Sequence, residues 1–131
     1  MVAMRSTLTA IRNRMDRAGI LLSGLCAVHC VLGVVLVGFL GLGGDVIGGQ
    51  VLLSPEIHRV GLMLAVVVGV ISLGFGVARH GRIAPLVIGG LGLALMAAAI
   101  LVGHGTAESV LTIIGVSLVA FAHIRNMRHT H

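Results

Sequence analysis

Residues 18–42 contain no Asp, Glu, Lys or Arg. An uncharged apolar run of that length can cross the roughly 30 Å hydrocarbon core of a bilayer as an α-helix, and a helix satisfies its backbone polar groups internally where no water is present. Three further apolar runs follow, over about 56–78, 83–102 and 108–126. With 57% hydrophobic residues, 10% charged residues and a mean hydropathy of +1.13, the chain cannot cover itself with a polar surface. The expected fold is all-α, an integral membrane four-helix bundle over residues 16–128, and 131 residues leave no room for a separate water-soluble domain. Ahead of it, Met4, Leu8, Ile11 and Met15 recur at helical spacing with Arg5, Arg12 and Arg14 between them. That pattern predicts a short amphipathic interfacial helix over residues 1–15. Residues 129–131 form a tail.

The net charge of +5 comes from nine arginines against four carboxylates. Arg5, Arg12, Arg14 and Arg17 precede the first span, Arg79 and Arg82 separate the second from the third, and Arg125 and Arg128 follow the fourth. Only Arg59 falls on the opposite side. Basic residues accumulate on the cytoplasmic side of membrane proteins, so both termini are expected there, and the arginines do not describe a nucleic-acid surface. The first apolar run is longer than the roughly 7–15 residues of a signal-peptide core. Leu25 is also too bulky before Cys26 for a lipoprotein acceptor site.

Local signals mark the helix ends. Asp16 is a candidate cap for the first span, and Gly41, Gly43 and Gly44 stop it. Residues 45–53 are a glycine-rich outer connection. Ser54-Pro55-Glu56 then supplies an N-cap, a proline at the first helical position and a carboxylate in the first turn. Arg79-His80-Gly81-Arg82 is a tight basic turn, Pro85 opens the third span, Gly103-His104-Gly105 breaks it, and Thr106 caps the fourth. Gly90, Ala94 and Ala98 form a small-residue stripe that predicts close packing of the third helix on a neighbour.

The chemistry centres on Cys26-Ala27-Val28-His29-Cys30, inside the first span. On a helix, positions i and i+4 share a face with Cβ atoms about 5–6 Å apart, so the two thiols point the same way with His29 beside them. That separation is a poor match to a disulfide, and both cysteines are expected as free thiols. A single buried cysteine is ordinarily a small hydrophobe. Two on one face, with a histidine that costs free energy within a membrane unless partnered, point instead to a soft-metal site.

His123 and Asn126, at i and i+3 in the last span, are the next candidates. Counting about 1.5 Å per residue from the outer ends puts His123 at the depth of Cys26, as a metal ligand or an interhelical hydrogen-bond donor. Glu56 and His58 open the second span beside Arg59. The same count leaves His58 about 10 Å or more outward of Cys30, so both are placed on an access path as secondary ligands, with Glu56 equally suited to pair with Arg59. His80, His104, His129 and His131 are read as solvated. Nothing resembles a phosphate loop, a Ser/His/Asp arrangement or an acid/base carboxylate pair. No enzymatic activity and no tightly bound cofactor are expected.

Three motifs together, Cys26-Ala27-Val28-His29-Cys30, Glu56-Ile57-His58-Arg59 and Ala122-His123-Ile124-Arg125-Asn126, resemble the MerC family of mercury-resistance inner-membrane proteins, in particular its small members with C-x-x-H-C in the first span. The resemblance covers about residues 16–128. It implies a bacterial inner-membrane protein that passes Hg²⁺ or a similar soft, Zn²⁺-like ion toward the cytoplasm without its own energy source. The cysteine pair of the family carries over to Cys26 and Cys30. The implied partners are the lipid bilayer, a periplasmic metal donor and a cytoplasmic thiol acceptor. The chain departs from the mercury-operon members in its wider cysteine spacing and in having no cysteine after Cys30. Four helices are few to enclose a pathway, which makes a homodimer one expectation.

Two other readings compete. His29, His58 and His123 on different helices are the residue types that ligate a haem in an electron carrier, although three phenylalanines are few to line such a pocket. The other is a ligand-free bundle that stabilises a partner.

Overall fold

The computed structural model describes residues 1–39, 41, 54–103 and 105–128. These form α1 (Val2–Gly33), which continues as a π-helical stretch over Val34–Phe39, then α2 (Pro55–His80), α3 (Ala84–Val102) and α4 (Thr106–Arg128). Four helices are long and apolar enough to cross a membrane, and no strand occurs among the described residues. The all-helical, four-span architecture is therefore as the hydropathy requires. The outer connection over 45–53, His104 and the tail lie outside the described residues.

Sequence chemistry accounts for the helix ends. Ser54 Oγ accepts from the Glu56 N–H at 3.3 Å and Pro55 occupies the first turn, as the Ser-Pro-Glu signal predicts. At the other end of α2, Gly81 takes φ 66° and its N–H donates to Val77 O at 2.8 Å, a left-handed C-cap suited to glycine. The fourth helix is capped one residue earlier than Thr106, because the Ser109 N–H donates to Gly105 O at 3.2 Å. No glycine or proline interrupts residues 2–18, so the amphipathic N-terminal segment is helical and runs without a break into the first span. Asp16 consequently caps nothing. It sits in the interior of α1 and is fully buried.

Helix α4 packs against both α1 and α3. Its closest approach to α3 is backbone on backbone: a Cβ on Gly92 would lie 2.5 Å from Gly115 O, and one on Gly115 would lie 2.7 Å from Gly92 O. Small residues permit this in a membrane, where lipid removes most of the hydrophobic drive between helices and packing must supply the attraction. The stripe that makes the contact is Gly89, Gly92, Met96 and Ala99, whereas Gly90 and Ala94 face outward and are exposed. The i+4 stripe of Gly90, Ala94 and Ala98 thus marks a neighbouring face of the helix from the one buried.

Helices α1 and α2 run antiparallel in a fixed register. Thr9 meets Arg79, Asp16 meets Ser72 and Cys30 meets His58, contacts spaced at whole heptads along both helices. The bundle core is Ala65 of α2, Met96 of α3 and Val116 and Val119 of α4, with Leu22, Cys26 and Leu62 packed against it. Large apolar side chains such as Leu25, Met63, Val67 and Leu101 point outward, as lipid-facing residues do.

Candidate metal site

The heptad register brings the first turn of α2 onto the cysteine face of α1. Cys30 is 4% exposed, and its Sγ lies 3.6 Å from His58 Nε2, the contact of a thiol with an imidazole nitrogen. On the far side of the same ring, His58 Nδ1 faces Glu108 Oε1 of α4 at 3.7 Å, beyond hydrogen-bond reach. The rings of His29 and His58 meet edge to face with centroids 5.3 Å apart. One helical turn inward, Cys26 borders the same cleft, which is about 480 Å³ in volume and is lined also by Glu56, Met96 and Thr112. Gly61 of α2 leaves the space that the Cys26 sulfur uses: a Cβ there would sit 3.4 Å from it. Both cysteines are free thiols.

The geometry corrects the depth count for His58. Outer helix ends are not level: α1 and its π-helical continuation reach Phe39, well past Cys30, while α2 starts at Pro55. The first turn of α2 therefore meets α1 at Cys30, and His58 touches the thiol instead of standing outward of it. Glu56 does pair with Arg59, at 3.2 Å on the exposed rim. Such an exposed pair contributes little stability. Glu108, read from sequence only as a first-turn carboxylate, is 7% exposed and faces the site.

His123 belongs to a different cluster, deeper and toward the arginine-rich ends. Its Nδ1–H donates to Asp16 Oδ1 at 2.7 Å, and it is 1% exposed. Asn126 Nδ2 donates to Asp16 Oδ2 at 3.0 Å and to the Ser72 carbonyl at 3.3 Å, while Ser72 Oγ–H donates to Asp16 Oδ1. His80 joins through its Nε2–H to Asn126 Oδ1 at 3.2 Å, and its Nδ1 accepts from the Arg82 N–H at 3.4 Å. His80 is accordingly half-buried and bonded, not solvated as its place in a basic turn suggests. Ser72, His123 and Asn126 all donate to the one Asp16 carboxylate, and a polar group so bonded is tolerated within a bundle.

The residues singled out by sequence therefore divide into two groups. Cys26, His29, Glu56 and His58 line the outer cleft, with Cys30 against His58 behind it, and His123 and Asn126 share the inner cluster with Asp16 and Ser72. Among the described residues no three His, Cys, Asp or Glu side chains stand close enough to hold a metal ion at once. Haem ligation is not favoured either: the two imidazoles that do meet touch edge to face, which leaves no plane between them for a macrocycle, and His123 is engaged by Asp16.

Four apolar helices with thiols and imidazoles turned between them define a small multi-pass membrane protein with soft donor atoms in its interior. The family model of the MerC mercury resistance protein matches residues 16–128, and the chain belongs to the MerC family, whose character is mercury-resistance membrane transport. No curated protein and no solved structure matches the chain.

Proposed function

We propose that this protein binds a soft heavy-metal cation of the mercuric-ion type at Cys26 and Cys30 and carries it passively across the bacterial inner membrane. The observation that carries the reading is the 3.6 Å contact between Cys30 Sγ and His58 Nε2, with Cys26 on the same face one turn inward. Thiolates are the metal-binding form of cysteine, so binding must release the thiol protons. His58 Nε2 is positioned to take the proton from Cys30, with Glu108 Oε1 3.7 Å from its other ring nitrogen. Two sulfurs at i and i+4 form a bent or linear clamp that a thiophilic ion closes, and His29 borders the cleft beside them.

The ion enters over Glu56 and His58 at the rim. It leaves toward the arginine-rich side past His123 and Asn126. With no cysteine after Cys30, the receiving thiol belongs to another molecule. Arginine asymmetry supports both termini in the cytoplasm, and a homodimer would help four helices enclose the route.

The test is Hg²⁺ and Zn²⁺ binding to purified protein, compared with Cys26→Ser and Cys30→Ser, followed by Hg²⁺ uptake into proteoliposomes. Both substitutions should abolish tight binding and uptake together. Equal affinity in the wild type and the two variants would overturn the metal site. Intact binding without uptake would overturn transport and leave a binding protein.

A further inference from the structure

A second concavity lies at the opposite end of the molecule from the cysteine cleft, between the N-terminal half of α1 and the end of α2. It is about 560 Å³ in volume; Arg5, Arg12 and Arg79 line it, and Met15, Ile71 and Phe75 are among its apolar wall. No acidic side chain lines it among the described residues. Arg79 is held across the groove by its Nη1–H, which donates to Thr9 Oγ1 at 2.6 Å. Arg12 is the unusual member. It is only 5% exposed, yet its Nε and Nη2 have no hydrogen-bond partner.

An unpaired buried guanidinium is costly. The carboxylate one turn away, Asp16, accepts from Ser72, His123 and Asn126 and forms no hydrogen bond with Arg12 Nε or Nη2. Arg12 Nε and Nη2 are two N–H groups of one planar fork, the arrangement that matches two oxygens of a phosphate. The register places the groove at headgroup level: α1 has 32 residues, so it is about 48 Å long against a core of roughly 30 Å, and its surplus lies at this end. Inward of Arg12 the wall turns apolar at Met15 and Ile71. The site is charged where a headgroup sits and greasy where an acyl chain runs.

We propose that this groove binds one anionic glycerophospholipid, with Arg12 and Arg79 on the phosphodiester, Arg5 at the mouth, and an acyl chain along Met15, Ile71 and Phe75. Basic pockets between helices at a membrane face are suited to such headgroups. The occupant satisfies the donors that the protein leaves open. It also ties the protruding half of α1 to α2, so it acts at a site separate from the thiols and needs no metal.

Native mass spectrometry of the full-length protein, with phosphatidylglycerol and phosphatidylcholine added in equal amounts, tests it. The phosphatidylglycerol adduct should dominate by about tenfold, because the choline cation of phosphatidylcholine offsets the phosphodiester charge and is repelled by Arg5, Arg12 and Arg79. Arg12→Gln should cut that preference about fivefold or more, and Arg12→Lys, which keeps the charge and loses the fork, should cut it by less. Arg79→Gln, at an exposed position, makes the same test without altering a buried side chain. Arg128→Gln removes an equal charge elsewhere and should leave the preference unchanged. Equal adducts of the two lipids would overturn the proposal, as would an equal loss in Arg128→Gln. Complete displacement of the lipid by inorganic phosphate at the same concentration would assign the arginines to a small oxyanion and likewise overturn it.

Discussion

His123 donates its Nδ1–H to Asp16 Oδ1 at 2.7 Å, with both side chains almost wholly buried. This bond joins the first helix to the last, and through Ser72 the same carboxylate engages the second. Asp16 is thus the common acceptor of three helices, at the inner end of a bundle whose other contacts are mainly apolar. Removing it leaves several donors facing no acceptor, and a broken buried pair costs far more than an absent one.

Asp16→Ala is therefore expected to destabilise the protein by about 3 kcal/mol. Unfolding in mixed micelles, followed by circular dichroism, measures this. The double substitution Asp16→Leu with His123→Leu removes both partners and should recover a large part of the loss. A loss in Asp16→Ala no greater than that of a surface substitution, about 0.5 kcal/mol, would refute the role given to this cluster.

Two glycines make room for the same network. A Cβ on Gly19 would lie 2.3 Å from His123 Nε2, and one on Gly76 would lie 2.1 Å from Asn126 Oδ1. Neither ring nor amide can retreat without breaking its bond to Asp16. Gly19→Ala and Gly76→Ala should each cost about 1–3 kcal/mol. Gly24→Ala, in the same helix with nothing within 4 Å, should be neutral or gain up to about 1 kcal/mol from helix propensity. The same unfolding assay distinguishes them, and identical behaviour of Gly19 and Gly24 would contradict the packing described.

The crossing of α3 and α4 gives a third comparison. Gly92→Ala drives a methyl against Gly115 O at 2.5 Å, a backbone atom that cannot rotate aside, whereas Gly90→Ala meets open space. Loss of about 2 kcal/mol or more is expected for Gly92→Ala and none for Gly90→Ala. Were Gly90 the sensitive position, the helix would be rotated from the orientation described.

At the outer cleft, His58→Ala should weaken Hg²⁺ or Zn²⁺ binding by about 10–100-fold, the range seen when a group supporting a ligand is removed. Glu56→Gln should change it by less than about threefold, because its carboxylate is in an exposed pair with Arg59. Competition against a chromophoric chelator measures both. The reverse order of sensitivity would shift the proton-accepting role away from His58.

Much of the architecture is legible along the chain because its causes are local. Uncharged runs of membrane length, Ser54-Pro55-Glu56 at a helix start and Gly81 at a helix end act within a few residues of where they stand. The helical face shared by Cys26 and Cys30 follows from the pitch alone. What escaped the linear pattern is everything that depends on the level at which two helices meet. A count of residues from a common surface separates His58 from Cys30 and aligns His123 with Cys26. The structure does the opposite, since α1 extends past the start of α2 and His123 packs on Gly19.

The sequence by itself determined four apolar helices, their approximate ends, an arginine-marked side and a pair of thiols on one helical face. Only the tertiary structure decided that His58 and Glu108 stand beside Cys30, that Asp16 is the acceptor for His123, Ser72 and Asn126, and that Arg12 is buried with open donors. Hydropathy and helical pitch operate within one segment. The register between segments is set by where glycines let backbones touch and where buried polar groups find partners, and no single helix carries that information.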